Sequence, residues 1–207
     1  GYPGTGKTSL ACRFLEYAEG NNALCSAGKF DQNNQDMPYI AFVQAFQGII
    51  RKILMEDQQV IAWWREKIVQ ALHPNVQVMV DIVPELSLIV GPQPPVPDLP
   101  PVELQNRFDA VFVKLLQLFG DQKSPLVLFL DDLQWADFSS IRLLQQITRE
   151  KNMKHIMIVG AYRDNAIDAA HPLSRLFDSI IQTGQNIQIV TLQPLELVHT
   201  NQLIGEL

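Results

Sequence analysis

The chain has 207 residues, of which 47% are hydrophobic and 18% are charged, and it carries a formal net charge of −6 with a pI near 5.1. This composition excludes a disordered chain, the acidic balance argues against nucleic acid as the main partner, and no apolar run approaches the roughly 20 residues of a membrane span. The first residues do not resemble a signal peptide and the two cysteines form no CxxC pair, so we expect one domain in the reducing cytoplasm.

The chain begins with a glycine-rich loop, GYPGTGKT at residues 1–8, which fits the pattern GxxxxGK[ST]. Glycines let successive backbone N–H groups curl around phosphate oxygens, the lysine reaches the β- and γ-phosphates, and the threonine hydroxyl ligates Mg²⁺. Residues 9–15 supply a helix whose N-terminal dipole attracts the same anion. We therefore predict a phosphate-binding loop that uses Gly1, Gly4, Thr5, Gly6, Lys7 and Thr8.

The middle of the chain predicts a strand at residues 23–27 and then a helical insertion at about residues 38–119. Apolar residues at helical spacing form three stripes in this insertion. Residues 76–83 alternate like a strand, but a helix is favoured because a strand there has no evident sheet partner. The proline-rich segment 91–101 excludes regular structure, since proline fixes φ and lacks a donor, and it predicts a stiff connector rather than a docking peptide.

A continuous apolar run, residues 125–130, ends in the two carboxylates of Asp131 and Asp132. A strand that is apolar on both faces is typical of a buried parallel sheet, and ligands of such sheets bind at the carboxyl ends of the strands. Together with the phosphate-binding loop, this pattern predicts that Asp131 holds Mg²⁺ and that Asp132 orients or deprotonates the attacking water. The alternative is an acidic turn that ends a core strand.

Two further strands are predicted, at residues 155–162 and 187–192. Arg163 follows the first of them and is placed to contact the γ-phosphate or the attacking water, the alternative being a surface arginine that caps a turn. Asp137 precedes an amphipathic helix and is predicted to be its N-cap.

Four segments together resemble one family: GYPGTGKTSL at 1–10, GKFDQ at 28–32, LVLFLDDLQWAD at 126–137 and VGAYRD at 159–164. They resemble the AAA-like ATPase module of large multi-domain signalling kinases, which belongs to the STAND class of P-loop switch NTPases. In that family the module lies between a serine/threonine-kinase-like domain and GAF and histidine-kinase domains. The resemblance covers essentially the whole chain and implies an α/β three-layer P-loop fold with a predominantly parallel sheet.

By this resemblance, Lys7 and Thr8 match the Walker A positions, Asp131 and Asp132 match the Walker B positions, and Arg163 matches the sensor-1 position. Asp132 and Arg163 are therefore the expected catalytic residues, while Thr8 and Asp131 are the expected ligands of Mg²⁺. Asp132 stands where the generic AAA+ pattern has glutamate. Because the shorter side chain reaches the water less well, slow hydrolysis and switching are expected rather than fast turnover.

The resemblance also implies that residues 1–207 are one ATPase domain truncated at both ends. The family's first strand and its adenine-contacting segment precede the phosphate-binding loop, and residues 195–207 are the expected start of a lid region. Without that strand we expect this stretch, expressed alone, to aggregate or stay molten and to bind ATP poorly. Arg175 lies where AAA+ proteins often carry an arginine finger, but the resemblance gives this role no support.

The sequence thus predicts a module that binds ATP or ADP with Mg²⁺, hydrolyses ATP slowly and switches a larger signalling protein between states. Its expected partners are flanking domains of the same polypeptide, with a homo-oligomer left open and neither nucleic acid nor membrane expected. One alternative is a non-hydrolysing nucleotide-binding or interaction scaffold, which differs in whether Asp131, Asp132 and Arg163 converge. Another is an origin-recognition-like DNA-associated ATPase, which the acidic charge and the lack of a winged-helix segment argue against.

Overall fold

A computed structural model describes residues 1–34, 37–97, 99–150, 152–182 and 186–194. In these ranges the chain forms three strands, β1 (Leu24–Lys29), β2 (Leu126–Asp131) and β3 (Ile156–Gly160). The same ranges contain the α-helices α1 (Lys7–Gly20), α2 (Ile40–Leu54), α3 (Gln58–Leu72), α4 (Val76–Ile82), α5 (Ser87–Val90), α6 (Pro101–Phe119), α7 (Phe138–Arg149) and α8 (Pro172–Gln182). No helix in these ranges combines the length and the apolar character that crossing a membrane requires.

The three strands form one parallel sheet in the order β1-β2-β3. β2 lies in the centre and is buried at every residue, as its continuous apolar run predicts. Lys29 pairs in register with Asp131, and Leu130 pairs with Gly160, so the three strands end at the same edge of the sheet. We call this the carboxyl edge. It brings the residues that follow β1, β2 and β3 together.

The two faces of the sheet are covered differently. Val127 and Phe129 of β2 contribute to two small clusters with Ala11 and Ala18 of α1. Leu126, Leu128 and Leu130 of the same strand enter the large core, where residues of α2, α3, α4, α6, α7 and α8 meet. The α/β layering therefore follows from a strand with apolar side chains on both faces.

Small residues let α2 lie close to β1. A Cβ atom on Gly28 would stand 1.7 Å from the carbonyl oxygen of Ala41, and one on Gly48 would stand 2.2 Å from Oγ of Ser26. The buried Ser26 hydroxyl donates to the carbonyl oxygen of Ala45 at 2.7 Å. Because α2 approaches so closely at Gly28, the end of β1 is held firmly at the carboxyl edge.

The helices predicted for the middle of the chain are confirmed as α2, α3 and α6, and the helix favoured for residues 76–83 is confirmed as α4. Their shared core is aromatic: the Phe112 ring meets those of Phe42 and Phe46 edge-on, with centroids 5.2 and 4.8 Å apart. Residues 91–97, 99 and 100 form no regular element, as the prolines predict, but α6 begins at Pro101, because the first turn of a helix tolerates the missing N–H of proline. Asp137 is confirmed as the N-cap of α7, since its side chain accepts from the Ser140 N–H at 2.9 Å.

The strand predicted at residues 187–192 is wrong. The described residues 186–194 contain no strand, and β3 pairs only with β2 among the described residues. A strand needs a neighbouring backbone to hydrogen-bond with, but residues 187–190 and β3 line one cavity of about 350 Å³ instead of pairing. The predicted lid region at 195–207 lies outside the described residues.

Candidate functional site

The predicted phosphate-binding loop leads directly into α1. Gly4 and Gly6 have φ angles of 77° and 82°, in the left-handed region that only glycine adopts without strain. A Cβ at either position would meet no atom within 4 Å, so backbone conformation rather than crowding requires glycine here. Gly6 is the N-cap of α1 and offers no capping side chain. The first N–H groups of the helix are therefore left to an anion.

The ammonium group of Lys7 turns back into this loop. Its Nζ donates to the carbonyl oxygens of Gly1 at 3.0 Å and Tyr2 at 2.7 Å, and Oγ1 of Thr5 donates to the same Tyr2 oxygen at 2.9 Å. The loop thus closes around the positive charge. A phosphate held by the helix N-terminus would find this ammonium group beside it.

Thr8 and Asp131 meet across the carboxyl edge. Oγ1 of Thr8 donates to Oδ2 of Asp131 at 2.9 Å, and Oδ1 of the same carboxylate accepts from the backbone N–H of Asp132 at 2.9 Å. Mg²⁺ takes one or two protein oxygens and completes its shell with water and phosphate. The described residues contain no cluster of three or more His, Cys, Asp or Glu that would hold a metal by themselves. The hydroxyl and carboxylate pair therefore fits the Mg²⁺ of a nucleotide complex.

Asp132 is the centre of a second cluster. Its Oδ1 accepts from Nε2 of Gln134 at 2.7 Å and lies 3.6 Å from Nε of Arg163, while its Oδ2 lies 3.1 Å from Nζ of Lys29. The residue itself has φ 51° and ψ 44°, a left-handed conformation that aspartate adopts at a cost. Three donors from three parts of the chain thus converge on a single carboxylate.

These donors keep the carboxyl group of Asp132 ionised. Burial by itself would raise the pKa of this carboxyl, but hydrogen bonds from Gln134 and Lys29, with the positive charges of Lys29 and Arg163, bring its pKa below the ordinary value. The hydrogen bond to Asp132 and its negative charge in turn raise the pKa of Lys29. At neutral pH the cluster therefore holds an ionised carboxylate next to the phosphate-binding loop, where it can accept a hydrogen bond from water.

The structure brings the predicted residues together in two linked groups. Thr8 and Asp131 form one, Asp132 and Arg163 form the other, and the backbone N–H of Asp132 bonds to Asp131. Their roles in binding and hydrolysis remain predictions. Arg175 lies elsewhere, in an open groove between α7 and α8.

Sequence reasoning missed Lys29 and Gln134. Lys29 stands in GKFDQ and Gln134 in LVLFLDDLQWAD, two of the segments that carry the family resemblance. The signal that could have found Lys29 is a charged residue at the end of a strand beside the strand of Asp131. Gln134 gives less signal, because a glutamine in a turn is ordinary until its burial is known.

A glycine-rich loop at a helix N-terminus, set against carboxylates at the end of a buried parallel strand, defines the class of P-loop NTPases. Residues 1–159 match the family model described as "AAA ATPase domain", and the chain belongs to this family. It is also 38% identical over 148 residues to "Hybrid signal transduction histidine kinase G" of Dictyostelium discoideum. That match covers 70% of the chain but 4% of the relative, so the chain spans a small part of that protein's length. No solved structure matches the chain. The predicted AAA-like module and α/β P-loop fold are thereby confirmed.

Proposed function

We propose that this chain is a regulatory module of a cytoplasmic signalling kinase that binds ATP with Mg²⁺ and hydrolyses it slowly. The observation that carries this function is the contact of Thr8 with Asp131, at 2.9 Å between Oγ1 and Oδ2, beside the phosphate-binding loop. An uncharged hydroxyl and a carboxylate at this distance suit a hydrated Mg²⁺ that also binds phosphate oxygens. The bound Mg²⁺ would neutralise charge on the β- and γ-phosphates.

The phosphate-binding loop binds the phosphates of ATP. Lys7 exchanges the carbonyl oxygens of Gly1 and Tyr2, its present partners, for phosphate oxygens, which are stronger acceptors because they are charged. The uncapped N-terminus of α1 adds its N–H groups and its dipole. Loss of the lysine should therefore weaken nucleotide binding itself.

Hydrolysis falls to Asp132, which orients the attacking water. Its lowered pKa makes it a weak base, so orientation of the water contributes more than removal of its proton. Lys29 and Arg163 already pair with this carboxylate, and a water must share it with them. Both features favour a slow reaction, which suits a switch that stays in its ATP state for long periods.

The signalling role rests on the similarity to a protein named as a hybrid signal transduction histidine kinase. The flanking domains of such a polypeptide are the partners we propose, with the ATP and ADP states of the module favouring different arrangements of them. A switch needs a ligand that binds the two states with different affinity, and the γ-phosphate is the group that distinguishes ATP from ADP.

The test uses the intact protein that contains this chain. Asp132→Asn should retain ATP binding and lose about 100-fold in turnover, since a positioned carboxylate contributes about that much. Lys7→Ala should raise the Kd for ATP. Phosphate release and calorimetric titration measure the two effects, with the exposed Asp178→Asn and Lys123→Ala as matched controls.

Wild-type turnover in Asp132→Asn would show that this residue does not orient the water. ATP binding without any hydrolysis in the wild-type protein would favour the alternative of a non-hydrolysing scaffold. Unchanged ATP affinity in Lys7→Ala would contradict the binding site itself.

A further inference from the structure

Gln134 uses both ends of its side-chain amide inside the protein. It lies in the short helical turn Leu133–Trp135 that follows β2, and it is 4% exposed. Its Nε2 donates to Oδ1 of Asp132 at 2.7 Å, and its Oε1 accepts from the backbone N–H of Arg163 at 3.2 Å. A single buried amide therefore joins the segment after β2 to the segment after β3.

The backbone around Gln134 is fixed as well. The N–H of Leu133 donates to the carbonyl oxygen of Ala161 at 2.9 Å, and the N–H of Ala161 donates to that of Leu130 at 3.0 Å. These bonds hold the two segments side by side at the carboxyl edge. The backbone on both sides of the amide is therefore fixed, and its two hydrogen bonds span the gap between the segments.

The other two groups on Asp132 cannot fix its orientation equally well. The side chain of Lys29 is 61% exposed and that of Arg163 is 40% exposed, whereas Gln134 is almost fully buried. Long exposed side chains lose more conformational freedom when they hold one geometry. The only neutral and buried donor among the three is Gln134.

An amide also suits both contacts. It supplies a donor and an acceptor together, whereas a carboxylate would offer Asp132 no donor and would repel it. An apolar side chain of similar size would leave the N–H of Arg163 and the carboxylate of Asp132 without this partner. The chemistry of position 134 is therefore set by Asp132 on one side and by Arg163 on the other.

We propose that Gln134 is a positioning residue that orients the Asp132 carboxylate for the attacking water and couples it to the backbone at Arg163. This role rests on the proposed function, in which Asp132 orients that water.

The experiment measures ATP affinity and the pH profile of kcat for Gln134→Leu and Gln134→Glu in the intact protein. Gln134→Leu should lower kcat about 10- to 100-fold, as misplacement of a reacting group does. It should change the Kd for ATP less than about 3-fold, because the side chains of Lys7 and Thr8 hydrogen-bond to Gly1, Tyr2 and Asp131.

Gln134→Glu gives the sharper result. When its carboxyl group is protonated at low pH it can donate to Asp132 and accept from Arg163, as the amide does; when ionised it can only repel Asp132. Its kcat relative to that of Gln134→Leu should therefore rise as the pH falls.

The matched control is Gln105→Leu, because Gln105 also donates from Nε2 to a carboxylate, that of Asp109, at 2.9 Å in α6. Its kcat and pH profile should stay within twofold of the wild type. If Gln134→Leu behaves in the same way while Asp132→Asn loses turnover, Gln134 is not a positioning residue and the proposed function stands.

If neither Asp132→Asn nor Lys7→Ala has an effect, the proposed function fails and the role of Gln134 fails with it. If Gln134→Leu does not fold, Gln134→Glu decides by itself, since its kcat relative to that of the wild type is compared at two pH values. Its ATP affinity then shows that the protein is folded, and a kcat that does not recover relative to wild type at low pH overturns the role.

Discussion

Asp109 in α6 and Asp132 at the carboxyl edge each accept a hydrogen bond from a glutamine and each lie beside an arginine. For Asp109 these are Gln105 at 2.9 Å and Arg142, whose Nε is 3.3 Å from Oδ2 without the alignment of a hydrogen bond. Burial raises the pKa of Asp109 more than Gln105 and Arg142 lower it, whereas the pKa of Asp132 is lowered.

The difference comes from access to solvent and from one additional cation. Asp109 has 0% of its side chain exposed, while Asp132 has 14% exposed and also meets Lys29. A fully buried carboxylate loses its hydration, and one arginine does not replace it. At the open edge the hydrogen bonds from Gln134 and Lys29, together with the charges of Lys29 and Arg163, outweigh the cost of burial. Similar partners therefore leave one carboxyl with a raised pKa and the other with a lowered pKa.

The largest effect is expected when Asp109 loses its cation. Arg142→Met should reduce the free energy of opening of α6 by about 3 kcal/mol, because the buried carboxylate then has no cation beside it and keeps only its hydrogen bond from Gln105. Hydrogen exchange of the α6 amides in the intact protein measures this.

The pH dependence follows from the sign of the shift. The pKa of Asp109, already raised, rises further in this variant, so protonation relieves the buried charge as the pH falls. The loss should be largest above the folded pKa and should decrease as the pH falls through it. A loss that stays constant over the whole acid series would contradict a charged origin. Arg163→Met is the matched variant at the edge and should have little effect on stability.

The second effect is the stabilisation of the folded module by bound nucleotide. It should arise at the carboxyl edge and should not depend on the pairing of Asp109 with Arg142. At 100 times the Kd, ATP·Mg²⁺ should stabilise the folded module by about 2.7 kcal/mol. Hydrogen exchange at α1 and β2 should show this protection in the wild type and in Arg142→Met, but not in Lys7→Ala at the same ATP concentration. Equal protection in Lys7→Ala would separate the loop from nucleotide binding.

The two regions also differ in how far their sequence predicts them. The helices of the insertion can be predicted from local periodicity. The apolar stripe that includes Phe108 and Phe112 lies within α6, so the sequence shows which face is buried without showing what packs against it. Asp131 and Asp132 were found because they end an apolar run. The sequence does not predict the burial of Asp109, because that burial depends on how α6 packs against α7, which carries Arg142.

Contacts between distant segments account for the rest. The pairing of Lys29 with Asp132 follows from the register of β1 against β2, which places Lys29 beside Asp131 and cannot be read from either segment alone. Residues 187–192 have the composition of a strand but pair with no strand among the described residues. Strand formation depends on a partner, whereas helix formation is satisfied within the segment.

The third effect separates the two carboxylates by the sign of their pH dependence. The folded pKa of Asp132 is lowered, so its ionised form stabilises the fold at any pH above its unfolded pKa of about 4. This stability is lost as the pH falls through the folded pKa. Asp132→Asn should therefore cost about 1 kcal/mol at neutral pH, and this cost should vanish below that window. Comparison with Asp178→Asn by hydrogen exchange over a pH series checks it, and a cost that grows at low pH would reverse the assignment.

The smallest effect on stability is expected at Lys29, although we expect its removal to change the pH profile of hydrolysis. Lys29→Met should change the free energy of opening by less than about 0.5 kcal/mol, because an exposed ion pair contributes little. It removes a hydrogen bond and a positive charge from Asp132, so the pKa of that carboxyl rises towards its ordinary value. The acid limb of the pH profile of ATP hydrolysis should then move to higher pH, while kcat on the plateau stays near the wild-type value because Gln134 still holds the carboxylate. Lys52→Met is the control, since Lys52 pairs with Glu19 away from the site. Coinciding profiles for Lys29→Met and wild type would mean that the second cation does not distinguish Asp132 from Asp109.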